Sequence, residues 1–228
     1  MHLTLVHSPL VGSVCWQAMA TVARASGHEA TVVTLPSWAD SAPDYYAAMG
    51  SSVAGQVSGQ SGSLLVVHSG AGALVPSILA ASQGEFAQVI YVDAILPHPG
   101  RCWCETAADN LVAVLEATLS QGCVPAWDQW FPPGTLAGLL PDQTRREAFA
   151  AGLAPTPWAY LQAKAPDPDW PEYVGWSYLR LSRAYEDEAG LARHEGRPAL
   201  RLDLHHLAMM TDPQEILLAI MNLARGRS

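Results

Sequence analysis

No apolar run in this chain approaches the roughly 20 residues that a membrane-spanning helix needs. The opening stretch, Met1 to His7, lacks the basic segment and long apolar run of a secretory leader. A cytoplasmic location is therefore the expectation. Cysteine is scarce: Cys15, Cys102, Cys104 and Cys123 are the only four. One residue between Cys102 and Cys104 makes a mutual disulfide awkward, and no paired Cys-x-x-Cys set offers a zinc site. Reduced thiols are the simplest reading. Charged residues make up 14% of the chain, with a formal net charge of −9. An acidic surface repels nucleic acid and anionic membranes, which excludes broad binding to either. A small-molecule substrate is left as the expected partner, with no cofactor, and the oligomeric state stays open, a homodimer included.

Half of the 228 residues are hydrophobic, enough for one sizeable core. No internal repeat interrupts the chain. Short apolar runs at Leu3–His7, Glu29–Leu35, Leu64–His68 and Val89–Asp93 read as strands. Between them, Cys15–Ser26, Asp44–Ser58 and Ala71–Ser82 have helical spacing. Strands alternating with helices predict a mostly parallel sheet with helices on both faces. Residues 94–175 break the alternation with two helical stretches, Ala107–Ser120 and Gly134–Leu153. This segment also holds many prolines and five tryptophans, Trp103, Trp127, Trp130, Trp158 and Trp170. Trp176–Leu181, Glu186–Glu195 and Ala199–Leu204 then resume as strand, helix and strand, and Pro213–Arg225 closes as an amphipathic helix. The core is thus expected at 1–93 and 176–228, with 94–175 inserted as a helical lid of the same domain. Such a lid covers the carboxyl edge of the sheet, where ligands bind. Pro9, Trp103, Trp127, Trp130 and Trp158 are the expected pocket residues. The plainer alternative has the tryptophans only gluing a helical layer to the sheet.

Ser69 stands between a predicted strand and a predicted helix in Val67-His68-Ser69-Gly70-Ala71-Gly72. A sharp strand-to-helix turn lifts a serine hydroxyl above the sheet and needs small neighbours. The amides at the start of the next helix then face any oxyanion formed on that serine. Strict Gly-x-Ser-x-Gly is not met, since Val67 and Ala71 hold the glycine positions; an ordinary turn serine is the bland alternative. Near the other end, His205-His206-Leu207-Ala208-Met209-Met210 follows the last predicted strand. Either histidine could be a base, and serine first with histidine last is the order expected of a hydrolase elbow. Two adjacent histidines can also suggest metal, but no carboxylate or cysteine sits at a ligand-like spacing, so no metal is expected.

Three segments together resemble the α/β-hydrolase superfamily, and within it the plant methylesterase and hydroxynitrile lyase branch. They are Leu5-Val6-His7 through Cys15-Trp16, the elbow His68-Ser69-Gly70, and His206-Leu207-Ala208-Met209-Met210 followed by Pro213. The resemblance implies the α/β-hydrolase fold, with Ser69 as nucleophile and His206 as base. It also implies that His7 and His68 support loop packing. Two departures stand out. The family's usual acid position falls on Ala184, followed by Tyr185, Glu186 and Asp187, while Asp93 ends the preceding strand. An acid there can still reach the imidazole's other nitrogen, so Asp93 is favoured, with Glu186 as the alternative acid and a capping role as the bland one. Glu186-Asp187-Glu188 otherwise reads as the acidic first turn of a helix. The second departure is Pro9, which stands where the family uses a backbone amide as an oxyanion donor; proline has none. Gly70 remains as one donor, with the Ser8 hydroxyl, the Leu10 amide or a water as the second.

The leading functional expectation is a serine hydrolase cleaving a carboxylic ester or thioester of a small, largely apolar substrate. A lyase, cyclase or acyl-transfer enzyme on the same scaffold is the alternative that Pro9 favours. A binding protein that keeps the fold without catalysis is the third reading.

Overall fold

The computed structural model describes residues 1–82, 84–167 and 174–226. Six strands form the main sheet: β1 (His2–Val6), β2 (Glu29–Val32), β3 (Ser63–Ser69), β4 (Phe86–Ala94), β7 (Gly175–Arg180) and β8 (Ala199–Arg201). Their order is β2-β1-β3-β4-β7-β8, and every pairing is parallel. A second, two-stranded antiparallel sheet joins β5 (Cys123–Val124) to β6 (Thr156–Pro157). The central strands read Ser-Leu-Leu-Val-Val-His-Ser and Phe-Ala-Gln-Val-Ile-Tyr-Val-Asp-Ala, and nearly every one of their residues is buried. That continuity follows from helices covering both faces, which leaves no polar side for alternation to mark.

The crossovers explain where a crevice forms. From β1 the chain moves outward to β2 and then returns past β1 to β3, so β1 and β3 flank the point where the winding reverses. Parallel crossovers are right-handed, so the two directions of winding put their helices on opposite faces. Helices Gln17–Ala25 and Pro213–Ala224 pack together, as do Tyr45–Val57 and Val75–Ala81. The carboxyl ends of strands at such a reversal open a cleft between the diverging loops. Ser69 ends β3 at this place.

Residues 95–174 separate β4 from β7. They carry helices Asp109–Ala117, Thr135–Leu139, Gln143–Ala150 and Trp158–Gln162 among shorter turns. The stretch 134–153, expected as one helix, is two: Leu140 leaves helical geometry just before Pro141, whose ring disfavours the helical conformation in the residue ahead of it. Leu115, Trp127, Leu140, Phe149 and Leu161 of the insertion join one continuous apolar cluster with the sheet residues. Expected strand ends were too long at Leu35 and Leu204, because both segments leave the sheet edge after three or four pairs. Trp170 lies outside the described residues. Among the described residues no helix is long and apolar enough to cross a membrane.

The turn after β3 is packed against the end of β4. A Cβ on Gly72 would sit 1.8 Å from the Ile95 carbonyl oxygen, a distance no side chain tolerates. Gly72→Ala is therefore expected to lower stability by about 1–3 kcal/mol or more, as overpacking a rigid interior does. Urea unfolding checks this; an unchanged midpoint and slope would contradict the packing.

Candidate active site

The backbone at the end of β3 is bent away from any regular form. Ser69 adopts φ 56° and ψ −128°, a region that residues with a side chain rarely enter. The chain then turns at once into a short 3₁₀ segment, Gly70–Leu74, and the helix Val75–Ala81. Gly70 is needed for a second reason besides the turn: a Cβ there would lie 2.8 Å from the Ser8 Oγ. Ala71 is fully buried, and Val67 is a core residue of β3, so neither of the usual glycine positions has to be glycine here.

Opposite the bend, β4 carries a matching irregularity. His68 pairs with Val92, but Ser69 pairs with Ala94, so Asp93 is an extra residue with φ 44°. A bulge re-aims the side chain at its centre. The Tyr178 hydroxyl secures it, donating to the Ala94 carbonyl at 2.6 Å and accepting from the Ala94 amide at 3.1 Å. The Asp93 carboxylate is fully buried and accepts from the Leu181 amide (2.7 Å), the Ser182 amide (2.9 Å) and the Ser182 hydroxyl (2.6 Å).

The imidazole of His206 completes a hydrogen-bonded line. Its Nδ1 lies 2.9 Å from Asp93 Oδ2, and its Nε2 lies 3.1 Å from Ser69 Oγ. Burial alone would raise the Asp93 pKa, but the hydrogen bonds from His206 and Ser182 outweigh it and hold the carboxyl below its ordinary value. An ionised carboxylate can only accept, so Nδ1 carries the proton and Nε2 accepts from the Ser69 hydroxyl. The Tyr185 hydroxyl, 3.4 Å from Ser69 Oγ, is then the donor in that weaker contact. The Tyr185 ring lies parallel to the His206 ring, with 5.1 Å between centroids, and Trp127 lies 6.0 Å away.

The other histidines have different surroundings. His68 is fully buried, 4.4 Å from the His206 ring, and its Nε2 donates to the His206 carbonyl at 2.9 Å. Burial, and then the neighbouring imidazole, push its pKa well below the ordinary value, so it stays neutral. His7 accepts the Leu35 amide on Nε2, which leaves Nδ1 to donate to the Ser8 carbonyl at 2.8 Å. These contacts fasten the loop after β1. His205 accepts the Leu207 amide on Nδ1 and contacts the Thr211 hydroxyl on Nε2. Among the described residues no group of three or more His, Cys, Asp or Glu is arranged to hold a metal.

A cavity of about 410 Å³ opens over Ser69, Gly70 and His206. Leu10, Trp103, Trp127, Trp130, Tyr185 and Glu188 are among its walls. Two of the expected pocket residues lie elsewhere. Pro9 lines a separate cleft with His7 and Trp38. Trp158 begins the helix that follows β6 and packs partly buried against the core. The alternative acid is also displaced: Glu186 sits at the surface between Arg180, Arg193 and Arg201, with no contact to His206. Arg180, itself buried, pairs with Glu186 at 3.1 Å. Of the suggested second donors, the Leu10 amide is bonded to the Ser8 Oγ at 3.2 Å, and Ser8 itself is buried. Tyr185 and Glu188 were not expected at the site. The one available signal for Tyr185 was its place directly after Ala184, the family's usual acid position; Glu188 looked like any acidic first turn.

Comparison with solved structures gives the fold its class. No family model matches the chain, and no curated protein matches it in sequence. An extracellular α/β-hydrolase from a Paenibacillus species superposes with a TM-score of 0.78 at 15% identity, covering 98% of both chains. It is described as a structural and functional homologue of tobacco salicylic acid binding protein 2. A methylesterase from Arabidopsis gives 0.72 at 20% identity over 99% of each chain. Tomato methylketone synthase I, bound to 2-tridecanone, gives 0.71 at 17% identity over 100% of this chain and 98% of its own. This chain has the α/β-hydrolase fold, and its likenesses include structures of the plant methylesterase branch.

The lowered Asp93 pKa makes a pH prediction. Its contribution to stability is present above the unfolded value of about 3.9 and is lost as pH falls through the lower folded value. Wild type is expected to exceed Asp93→Asn in urea-unfolding stability at pH 7, with the gap shrinking at pH 3. A gap equal or wider at pH 3 would contradict the assignment of an ionised, hydrogen-bonded Asp93.

Proposed function

We propose that this chain is a serine hydrolase that cleaves a carboxylic ester or thioester of a small, largely apolar substrate. The observation that carries the proposal is the unbroken line Ser69 Oγ–His206 Nε2 (3.1 Å) and His206 Nδ1–Asp93 Oδ2 (2.9 Å), opening on a tryptophan-lined cavity. His206 takes the Ser69 proton as Oγ attacks the carbonyl carbon, and Asp93, remaining ionised, stabilises the imidazolium. Collapse of the tetrahedral intermediate expels the alkoxide or thiolate, which receives the proton from Nε2. Water, deprotonated by the same nitrogen, then releases the acid and restores Ser69. The insertion acts as the lid that walls this reaction off from bulk water.

The tetrahedral oxyanion needs donors beyond those lost with Pro9. Gly70 opens the 3₁₀ segment, so its amide is one of the helix-start donors without an intrahelical partner. The Ser8 hydroxyl supports the second place: its oxygen lies beside Gly70 and already accepts the Leu10 amide, which leaves its own proton to donate. Ser8→Ala is expected to lower kcat about 100- to 1,000-fold with little change in KM, as removal of an oxyanion donor does. An unaltered kcat would move that role to another group.

A fluorophosphonate probe is expected to label wild type and not Ser69→Ala. Failure to label the folded protein would defeat the hydrolase reading. Pro9 supports a second reading, non-hydrolytic lyase, cyclase or acyl-transfer chemistry, in which Ser69 and His206 only shuttle protons. Conversion of simple nitrophenyl esters to the free acid separates the two, because water is the acyl acceptor only in the first reading.

A further inference from the structure

Glu186 and Glu188 lie two residues apart in the first turn of helix Glu186–His194, yet their surroundings are opposite. Glu186 is surrounded by three arginines. Glu188 turns into the cavity above Ser69, and among the described residues no lysine, arginine or histidine pairs with it. Among the described residues, the cavity wall includes no lysine or arginine. Burial pushes the Glu188 carboxyl above its ordinary value; a backbone hydrogen bond opposes the shift, and the nearby charges of Asp187 and Asp93 add to it. A carboxylate left in such a place costs free energy that a bound cation would recover.

The walls suit the same ligand. Trp103 and Trp130 lie 5.7 Å apart with their rings inclined at 56°, and Trp127 also lines the cavity. Trp130 is held by its indole N–H, which donates to the Pro125 carbonyl at 2.8 Å, so its ring is fixed by the edge. Indole faces attract ammonium groups through their quadrupole, most strongly where water is excluded. Glu188 follows Tyr185 by three residues, and Tyr185 reaches Ser69 at 3.4 Å. Tyr185 and Glu188 both line the cavity that opens over Ser69.

Resting on the hydrolase reading above, we propose that Glu188 and the tryptophans form a cation subsite, and that the substrate is an ester or thioester carrying an ammonium group. A quaternary nitrogen is the suitable probe because its charge does not vary with pH. The test compares kcat/KM for the acetyl thioester of 2-(trimethylammonio)ethanethiol with that of its uncharged carbon isostere, 3,3-dimethylbutyl thioacetate. Wild type is expected to favour the charged thioester by about 10-fold or more, about 1.4 kcal/mol. The ratio should fall toward one in Glu188→Gln, and in wild type as salt is raised. Equal rates in wild type, or a preference that survives in Glu188→Gln, would overturn the subsite. Because each ratio is taken within one protein, a general loss of activity does not blur it.

Tryptophan fluorescence of Ser69→Ala, titrated with choline and with 3,3-dimethyl-1-butanol, reads binding without turnover. Tighter choline binding that needs Glu188 upholds the subsite even if neither thioester is cleaved, in which case only the hydrolase reading fails. Cleavage of both thioesters at the same rate, with equal binding of the two alcohols, leaves the hydrolase reading standing and removes the subsite.

Discussion

Four hydrogen bonds converge on one buried carboxylate at the end of β4, and the geometry of the site depends on them. Asp93 takes two backbone amides and a hydroxyl from the turn after β7, and the fourth bond comes from His206. Without those amides a carboxylate in this interior would be driven to its neutral form. With them it remains an acceptor and fixes which imidazole nitrogen carries the proton. The Ser69–His206 contact then follows from the tautomer. The bulge that presents Asp93 is itself clamped by Tyr178, so a core phenol, a strand defect and a proton position form one chain of cause.

The topology makes that chain local. Ser69, Asp93 and the turn carrying Tyr185 end three neighbouring strands, β3, β4 and β7, and His206 follows the edge strand β8. Asp93, the proposed acid, lies one strand closer to Ser69 than the family's usual acid position at Ala184, and that other strand end is used otherwise. Its turn carries Ala184, Tyr185 and, one turn on, Glu188, all of which line the cavity. Moving the acid inward thus leaves a position from which the pocket can be given a phenol and a carboxylate. The insertion is tied to the same core through Trp127 and Phe149, so the cavity roof is built on the sheet rather than hung beside it.

The sheet was legible because its central strands carry apolar runs, Leu64 to Val67 and Val89 to Val92, and the elbow because Ser69 stands among small residues between such a run and a helix. His206 was legible through the His-Leu-Ala-Met-Met segment. What escaped was set by tertiary contact. Two-residue strands such as Cys123–Val124 have no periodicity to read. Pro141 signalled a helix break that the apolar spacing around it masked. Glu186 and Glu188 look alike in sequence, and only the folded surroundings, three arginines for one and the cavity for the other, tell them apart. Pro9 was assigned from its place in the loop after the first strand and Trp158 as one of the insertion's tryptophans, but Pro9 lines a cleft shared with His7 and Trp38, and Trp158 packs against the apolar core.

If Ser69 and His206 act as one proton-sharing unit, their losses cannot multiply. The deciding measurement is kcat for a neutral thioester in wild type, Ser69→Ala, His206→Ala and the double variant. The account predicts that each single change costs about as much as both together, of the order of a million-fold where a triad operates fully. Independent, multiplying losses from the two substitutions, or a single variant that keeps full activity, would contradict it.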